Sequence, residues 1–192
     1  MKLIGITGGI GSGKSTIAKV FMSMGYPVYN SDIKAKELIN NNEKLINSIK
    51  LTFGEDLYNT QGLDRKKLAS IVFSNPKKLN LLNSIIHPAV GEDFENWVEL
   101  QSNPFVLKEA AILFETGIYK SLDKTILVSA PLETRIERVI KRDNTSREEV
   151  LSRMKNQWAE DEKIKLADYV IDNSGQELVI PQVIKIIEQI SK

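Results

Sequence analysis

A chain of 192 residues, 42% apolar and 27% charged, is long enough for one well-buried α/β core and short for two independent ones. Its 26 Lys and Arg against 25 Asp and Glu leave a formal charge of +1, so no bulk attraction to nucleic acid or an anionic membrane follows. The lack of cysteine excludes a disulfide framework, a thiolate nucleophile and a Cys-based zinc site, and one histidine excludes a multi-His metal centre. The opening Met1-Lys2-Leu3-Ile4-Gly5 is too short an apolar stretch for a signal peptide, and no later run has the length of a membrane span. A soluble, cytoplasmic protein with no membrane or nucleic-acid partner is expected.

Residues 2–7 are apolar, partly β-branched and run straight into glycines, which predicts a buried parallel strand. Ile17, Val20, Phe21 and Met24 then recur at helical spacing, and Gly25 with Pro27 supplies the stop. Pro27-Val28-Tyr29 predicts a brief second strand. Beyond it the pattern turns helical with little strand signal. There Asn75-Pro76 opens a helix carrying Leu79, Leu82 and Ile86, and His87-Pro88 marks a break before Val90, Phe94, Trp97 and Val98. Strand signals return at Phe105–Leu107, Thr125–Val128 and Tyr169–Ile171, an alternation that implies a parallel sheet. Ser146 and Glu149 fit a capping box before Val150, Leu151 and Met154. Val179, Val183, Ile186, Ile187 and Ile190 share one face of a closing helix. There is no internal repeat or low-complexity tract.

Between the first strand and the first helix, Gly8-Gly9-Ile10-Gly11-Ser12-Gly13-Lys14-Ser15-Thr16 satisfies G-x-x-x-x-G-K-[ST] in the context that motif requires. Glycines let main-chain N–H groups face a polyphosphate without side-chain obstruction. The helix aims its partial positive N-terminus at the same point, Lys14 can reach the β- and γ-phosphates, and the Ser15 hydroxyl can ligate Mg²⁺. Thr16 is placed to contact the α-phosphate. The motif names a ligand and not a reaction, since switches, motors and small-molecule kinases share it.

The remaining residues discriminate among those classes. The N-K-x-D segment that reads guanine is absent, which weakens a nucleotide-dependent binding switch. Only Glu109 follows the strand at 105–108, a poor fit to a motor ATPase. A small-metabolite kinase needs a group for the acceptor hydroxyl and a cationic lid. Asp32, after the second strand, falls at the carboxyl end of the sheet, where it can serve as a base, help hold Mg²⁺ or simply cap a helix. Arg135, Arg138 and Arg142, with Arg147 and Arg153 beyond, either line a closing lid or form a solvated face. His87 either meets substrate or satisfies a turn, and Trp97 and Trp158 fit packing better than base stacking.

Taken in order, Leu3 to Thr16 with its T-G-G-I-G-S-G-K-S-T run, Asp32, Ile86-His87-Pro88, Ile112-Leu113-Phe114-Glu115, Arg142-Asp143, Arg147-Glu148, Gln157 and 167–173 resemble the dephospho-CoA kinases. The resemblance spans nearly the whole chain. It implies a three-layer α/β/α P-loop fold with a parallel sheet, organised as one domain: core 1–33, 104–134 and 167–192, helical CoA-binding insertion 34–103, and helical lid 135–166. It further implies transfer of the ATP γ-phosphoryl group to the ribose 3'-hydroxyl of dephospho-CoA, with Mg²⁺, in a monomer or weak homo-oligomer. Gly11, Ser12, Gly13, Lys14, Ser15 and Thr16 match the ATP loop, and Asp32 matches the family base. Arg138 and Arg142 match lid cations, Asn173 approaches adenine, and Lys36 and His87 fall among the acceptor-binding positions. Four positions depart from the family pattern. Asn30-Ser31-Asp32 replaces Asp-Ala-Asp, which removes one carboxylate from a two-aspartate scheme for magnesium. Lys36 replaces an arginine and lacks its bidentate fork, and Ala111 replaces a proline.

Overall fold

Along β1 (Lys2–Thr7) the side chains alternate across the sheet, with Ile4 and Ile6 fully buried in the main core and Gly5 turned to the other face. A methyl group at Gly5 would come within 2.6 Å of Leu113 and 2.7 Å of Leu122, so its absence lets those two leucines lie directly on the strand backbone. The computed structural model describes residues 1–72 and 75–192. After β1 come α1 (Lys14–Ser23), β2 (Val28–Asn30), α2 (Ser31–Asn41), α3 (Glu43–Phe53), the two-residue strands β3 (Tyr58–Asn59) and β4 (Gly62–Leu63), α4 (Arg65–Val72) and α5 (Pro76–Glu99). The second half holds β5 (Phe105–Glu109), β6 (Lys124–Ser129), α6 (Leu132–Asp143), α7 (Arg147–Met154), α8 (Glu160–Leu166), β7 (Tyr169–Asp172) and α9 (Val179–Ile190). The chain forms two compact units, one of Met1–Asn30 with Gln101–Lys192 and one of Ser31–Leu100.

In the first unit five strands pair in the order β2-β5-β1-β6-β7, every pair parallel. Interior β5, between β2 and β1, is buried at all five positions, as a strand covered on both faces must be. Ile17 and Phe21 of α1 with Val183, Ile186 and Ile190 of α9 close one face over Ile4, Ile6, Leu107, Ile126, Val128 and Ile171. Each such fully buried side chain contributes about 1.5–3 kcal/mol relative to exposure. The helix-flanked parallel sheet is the architecture expected from the alternating strand and helix signals. Ile136 and Val139 of α6 and Val150 of α7 make a smaller core, against which Ile10 of the glycine loop packs. The N-cap half of the predicted capping box is present, the Ser146 side chain accepting a hydrogen bond from the Glu149 amide at 3.2 Å, while the Glu149 carboxylate accepts from the Thr145 hydroxyl.

The second unit, helical among its described residues but for one hairpin, buries Leu45, Ile49, Leu57, Leu68, Val72 and Leu82. Asn75 caps α5 by accepting from the Lys77 and Lys78 amides, and Pro76 takes the first helical position. The expected break at His87-Pro88 is not there, because α5 runs through Pro88 to Glu99. Proline removes one helical hydrogen bond at a cost of about 3 kcal/mol. Buried Leu82 on one side of it, Val90 and Phe94 on the other, and packing against α2, α3 and α4 keep both halves aligned. The β3–β4 hairpin was not signalled, since two-residue strands are too short to show a period.

Candidate functional site

The loop from Gly8 to Thr16 leaves the carboxyl end of β1 and enters α1. A Cβ at Gly8 would meet the Val128 carbonyl at 2.4 Å and Ser12 Oγ at 2.5 Å, so only glycine lets the loop lie this close to β6. Gly11 and Gly13 hold φ of 81° and 94°, in the left-handed region that glycine occupies without strain. Gly13 is also the N-cap of α1, with no side-chain hydrogen bond and no acidic residue in the first turn. The positive end of the α1 dipole is therefore offset by no carboxylate of its own, and the backbone curls as an anion-binding nest does.

Glu109 is the residue that the motif alone did not reveal as part of this site. At the carboxyl end of β5 it stands in register with Ile6 of β1 and Asn30 of β2, and only 4% of it is exposed. Ser15 Oγ donates to its Oε1 at 2.8 Å and Asn30 Nδ2 to its Oε2 at 2.6 Å. Two donors offset the desolvation that a buried carboxylate suffers. The amide at position 30 can donate where an aspartate would repel. The signal available beforehand was a lone acid ending an apolar strand beside the loop.

On the other side of the loop, Asn173 follows β7. Its amide nitrogen donates to the Ser12 carbonyl at 2.7 Å, its backbone N–H to Ser129 at 2.8 Å, and its own carbonyl accepts from Arg138 at 2.9 Å. Arg138, Asn173 and the loop are thus brought together, and Arg138 Nη1 is buried without a hydrogen-bond partner among the described residues. Arg135 lies against the loop as well, because a Cβ on Gly9 would sit 2.0 Å from its Nη1. It pairs with Glu160 at 3.2 Å. A cavity of about 500 Å³ opens here, lined by Ser129, Pro131, Arg135, Glu160, Asp172 and Ser174, at the strand ends where open α/β sheets receive ligands.

Arg142 lies two turns beyond Arg135, 65% exposed at the side chain, and forks onto Asp143 at 2.7 and 3.0 Å. Arg153 reaches the same carboxylate and Arg147 pairs with Glu133, so all three form surface ion pairs. The Arg142 guanidinium, with Arg153, holds the Asp143 carboxyl down at about 2. In the helical unit, α2 starts at Ser31, which puts Asp32 inside the first turn and not at the cap. Asp32 and Lys36 are exposed one turn apart on α2, and half-buried His87 lies mid-way along α5.

No group of three or more His, Cys, Asp and Glu side chains suited to a metal occurs among the described residues. The Ser15 hydroxyl beside the Glu109 carboxylate is a sparse, all-oxygen donor set. That fits Mg²⁺, which keeps waters and phosphate oxygens and takes few ligands from protein. No helix among the described residues is long and apolar enough to cross a membrane.

The family model for dephospho-CoA kinase matches residues 2–178. A dephospho-CoA kinase of Chlorobium chlorochromatii is 44% identical over 181 residues, 90% of this chain and 85% of that protein. A Thermus thermophilus protein of known structure is similar at TM-score 0.89 and 39% identity, over 98% of this chain and 96% of that one. The Campylobacter jejuni dephospho-CoA kinase gives TM-score 0.72 at 28% identity, over 98% and 96%.

Proposed function

This chain belongs to the dephospho-CoA kinase family, and from that premise we propose how its residues divide the work of phosphoryl transfer. The reaction moves the ATP γ-phosphoryl group to dephospho-CoA, giving CoA and ADP, the last step of CoA biosynthesis. The amides of Gly11 to Thr16 and the Lys14 ammonium hold the triphosphate, matching the partial charges of the loop to the phosphate oxygens. Ser15 ligates Mg²⁺, and Glu109, through its bond to the Ser15 hydroxyl, turns the serine lone pairs outward. When bound, the ion offsets charge on the β- and γ-phosphate oxygens. Arg138 and Asn173 receive the nucleoside end of ATP, and Arg142 leaves Asp143 to meet charge that develops on the transferred group.

Asp32 accepts the proton of the ribose 3'-hydroxyl as that oxygen bonds to the γ-phosphorus and the bond to the β-phosphate oxygen breaks. Lys36 and His87 bind the acceptor. In this scheme residues 34–103 are the CoA-binding insertion and 135–166 the lid, within one domain that works as a monomer or weak homo-oligomer in the cytoplasm. The observation that carries the proposal is the chain of hydrogen bonds from Ser15 through Glu109 to Asn30 at the foot of the loop. Purified protein mixed with MgATP and dephospho-CoA is expected to release CoA and ADP in equal amounts, and chelation of Mg²⁺ is expected to stop it. Phosphorylation of another nucleoside with none of dephospho-CoA would reject the acceptor assignment.

A further inference from the structure

Lys163 of α8 is wholly buried, an expensive place for an ammonium unless it is paired. Its Nζ lies 2.7 Å from Glu115 Oε1, and the same oxygen accepts the Trp158 backbone N–H at 3.0 Å. One carboxylate on the segment after β5 therefore grips both α8 and the link between α7 and α8. The residue just before Trp158 is Gln157. Its Oε1 accepts the Ile10 N–H at 2.9 Å and its Nε2 donates to the Ala111 carbonyl at 3.1 Å. Ala110, next to Ala111, is tied to β1 through its N–H to the Ile6 carbonyl at 3.1 Å. From the same end of α8, Glu160 holds Arg135 against Gly9.

We infer that Gln157 is a positioning residue for phosphoryl transfer: its carboxamide fixes the outer arc of the phosphate loop at Ile10, and the Glu115–Lys163 pair fixes Gln157. The inference rests on the loop being the phosphate site. An amide suits the position because one end must accept and the other donate. A carboxylate there keeps the Ile10 bond, loses the donor to Ala111 and adds negative charge beside the loop. The inner arc, Ser12 to Thr16, is fixed separately by α1, by the Asn173 bond to the Ser12 carbonyl and by the Glu109 bond to Ser15. Loss of the Gln157 bonds therefore disturbs alignment of the transferred group more than it disturbs nucleotide binding.

The test compares Gln157→Met, which keeps the length without polar ends, with Gln157→Glu. Gln157→Met is expected to lower kcat about tenfold or more, with Kd for MgADP and both KM values within about threefold and Tm within about 3 °C of wild type. Near-wild-type kcat, a parallel loss of MgADP binding, or a kcat loss tracked by a large fall in Tm overturns the inference. If Gln157→Met does not fold, Gln157→Glu decides. It keeps the acceptor for Ile10 but lacks the donor to Ala111, so its kcat is expected to fall about tenfold with Kd for MgADP within about threefold of wild type, and a near-wild-type kcat or a parallel loss of MgADP binding overturns the inference. Failure of the wild type itself to bind MgADP sinks the phosphate-loop assignment instead, which separates the two.

Discussion

Asp32 and Glu109 are two carboxylates with opposite surroundings, and their chemistry divides accordingly. Asp32 is exposed in the first turn of α2, as the proposed base must be, whereas buried Glu109 has its two oxygens engaged by Ser15 and Asn30. Asp32→Asn is expected to lower kcat about 100-fold while Kd for MgADP stays near wild type, as loss of a general base does. Steady-state kinetics beside calorimetry check it, and an equal loss of nucleotide binding reassigns Asp32 to the metal. Glu109→Gln keeps shape but removes the charge behind Ser15. The Mg²⁺ concentration for half-maximal activity is expected to rise about tenfold, by the penalty typical of a lost outer-shell partner, and a metal titration at saturating ATP measures it. The two carboxylates also differ in how far sequence exposes them. Asp32 stands out in the sequence because it follows a strand in a recognisable order of segments. Glu109 reaches the site only through register with β1 and β2, a relation between distant residues that no local pattern carries.

At the level of elements, α6 shows where residue spacing ends as a guide. Its arginines recur at helical intervals, yet three-dimensional partners sort them: Arg135 and Arg138 reach the loop and Asn173, while Arg142 is held by Asp143. The loop, its flanking strand and helix, and the Ser146 cap of α7 were legible because each depends on neighbours in sequence. The continuity of α5 through Pro88 was not, since helices packed alongside outweigh the local proline penalty there. The end of α6 gives a pH prediction. The Asp143 carboxyl, hydrogen-bonded first by Arg142 and then by Arg153, is held at about 2, below the roughly 3.9 of an unfolded aspartate. Its folded value is depressed, so its stabilisation is present above about pH 4 and is lost as pH falls through about 2. Both arginines are well exposed, at 65% and 48%, and solvent screening keeps the contribution under about 1 kcal/mol. Urea denaturation of wild type and Asp143→Asn is expected to show a stability gap that is level from pH 5 to 8 and closes toward pH 2.

For the whole molecule, the division into units follows from one crossover. The chain leaves the sheet after β2 and returns at β5, its parallel neighbour, having built a separate helical core over 31–100 in between. The phosphate loop and everything that grips it, from Glu109 to Asn173 and Gln157, belong to the sheet unit. On the proposed reading, nucleotide is therefore expected to stabilise that unit without any acceptor present. A ligand that binds only the folded state at 100 times its Kd adds about 2.7 kcal/mol. For a chain of this size each kcal/mol moves the midpoint by about 2–4 °C. Saturating MgADP is thus expected to raise Tm by roughly 5–11 °C, and Lys14→Ala, which removes the ammonium from the nest, is expected to abolish most of that rise. Differential scanning calorimetry of both proteins, with and without MgADP, measures it. A wild-type shift no larger than that of Lys14→Ala would mean that the nucleotide's stabilising contacts lie outside the loop, because linkage then registers no contribution from its charge.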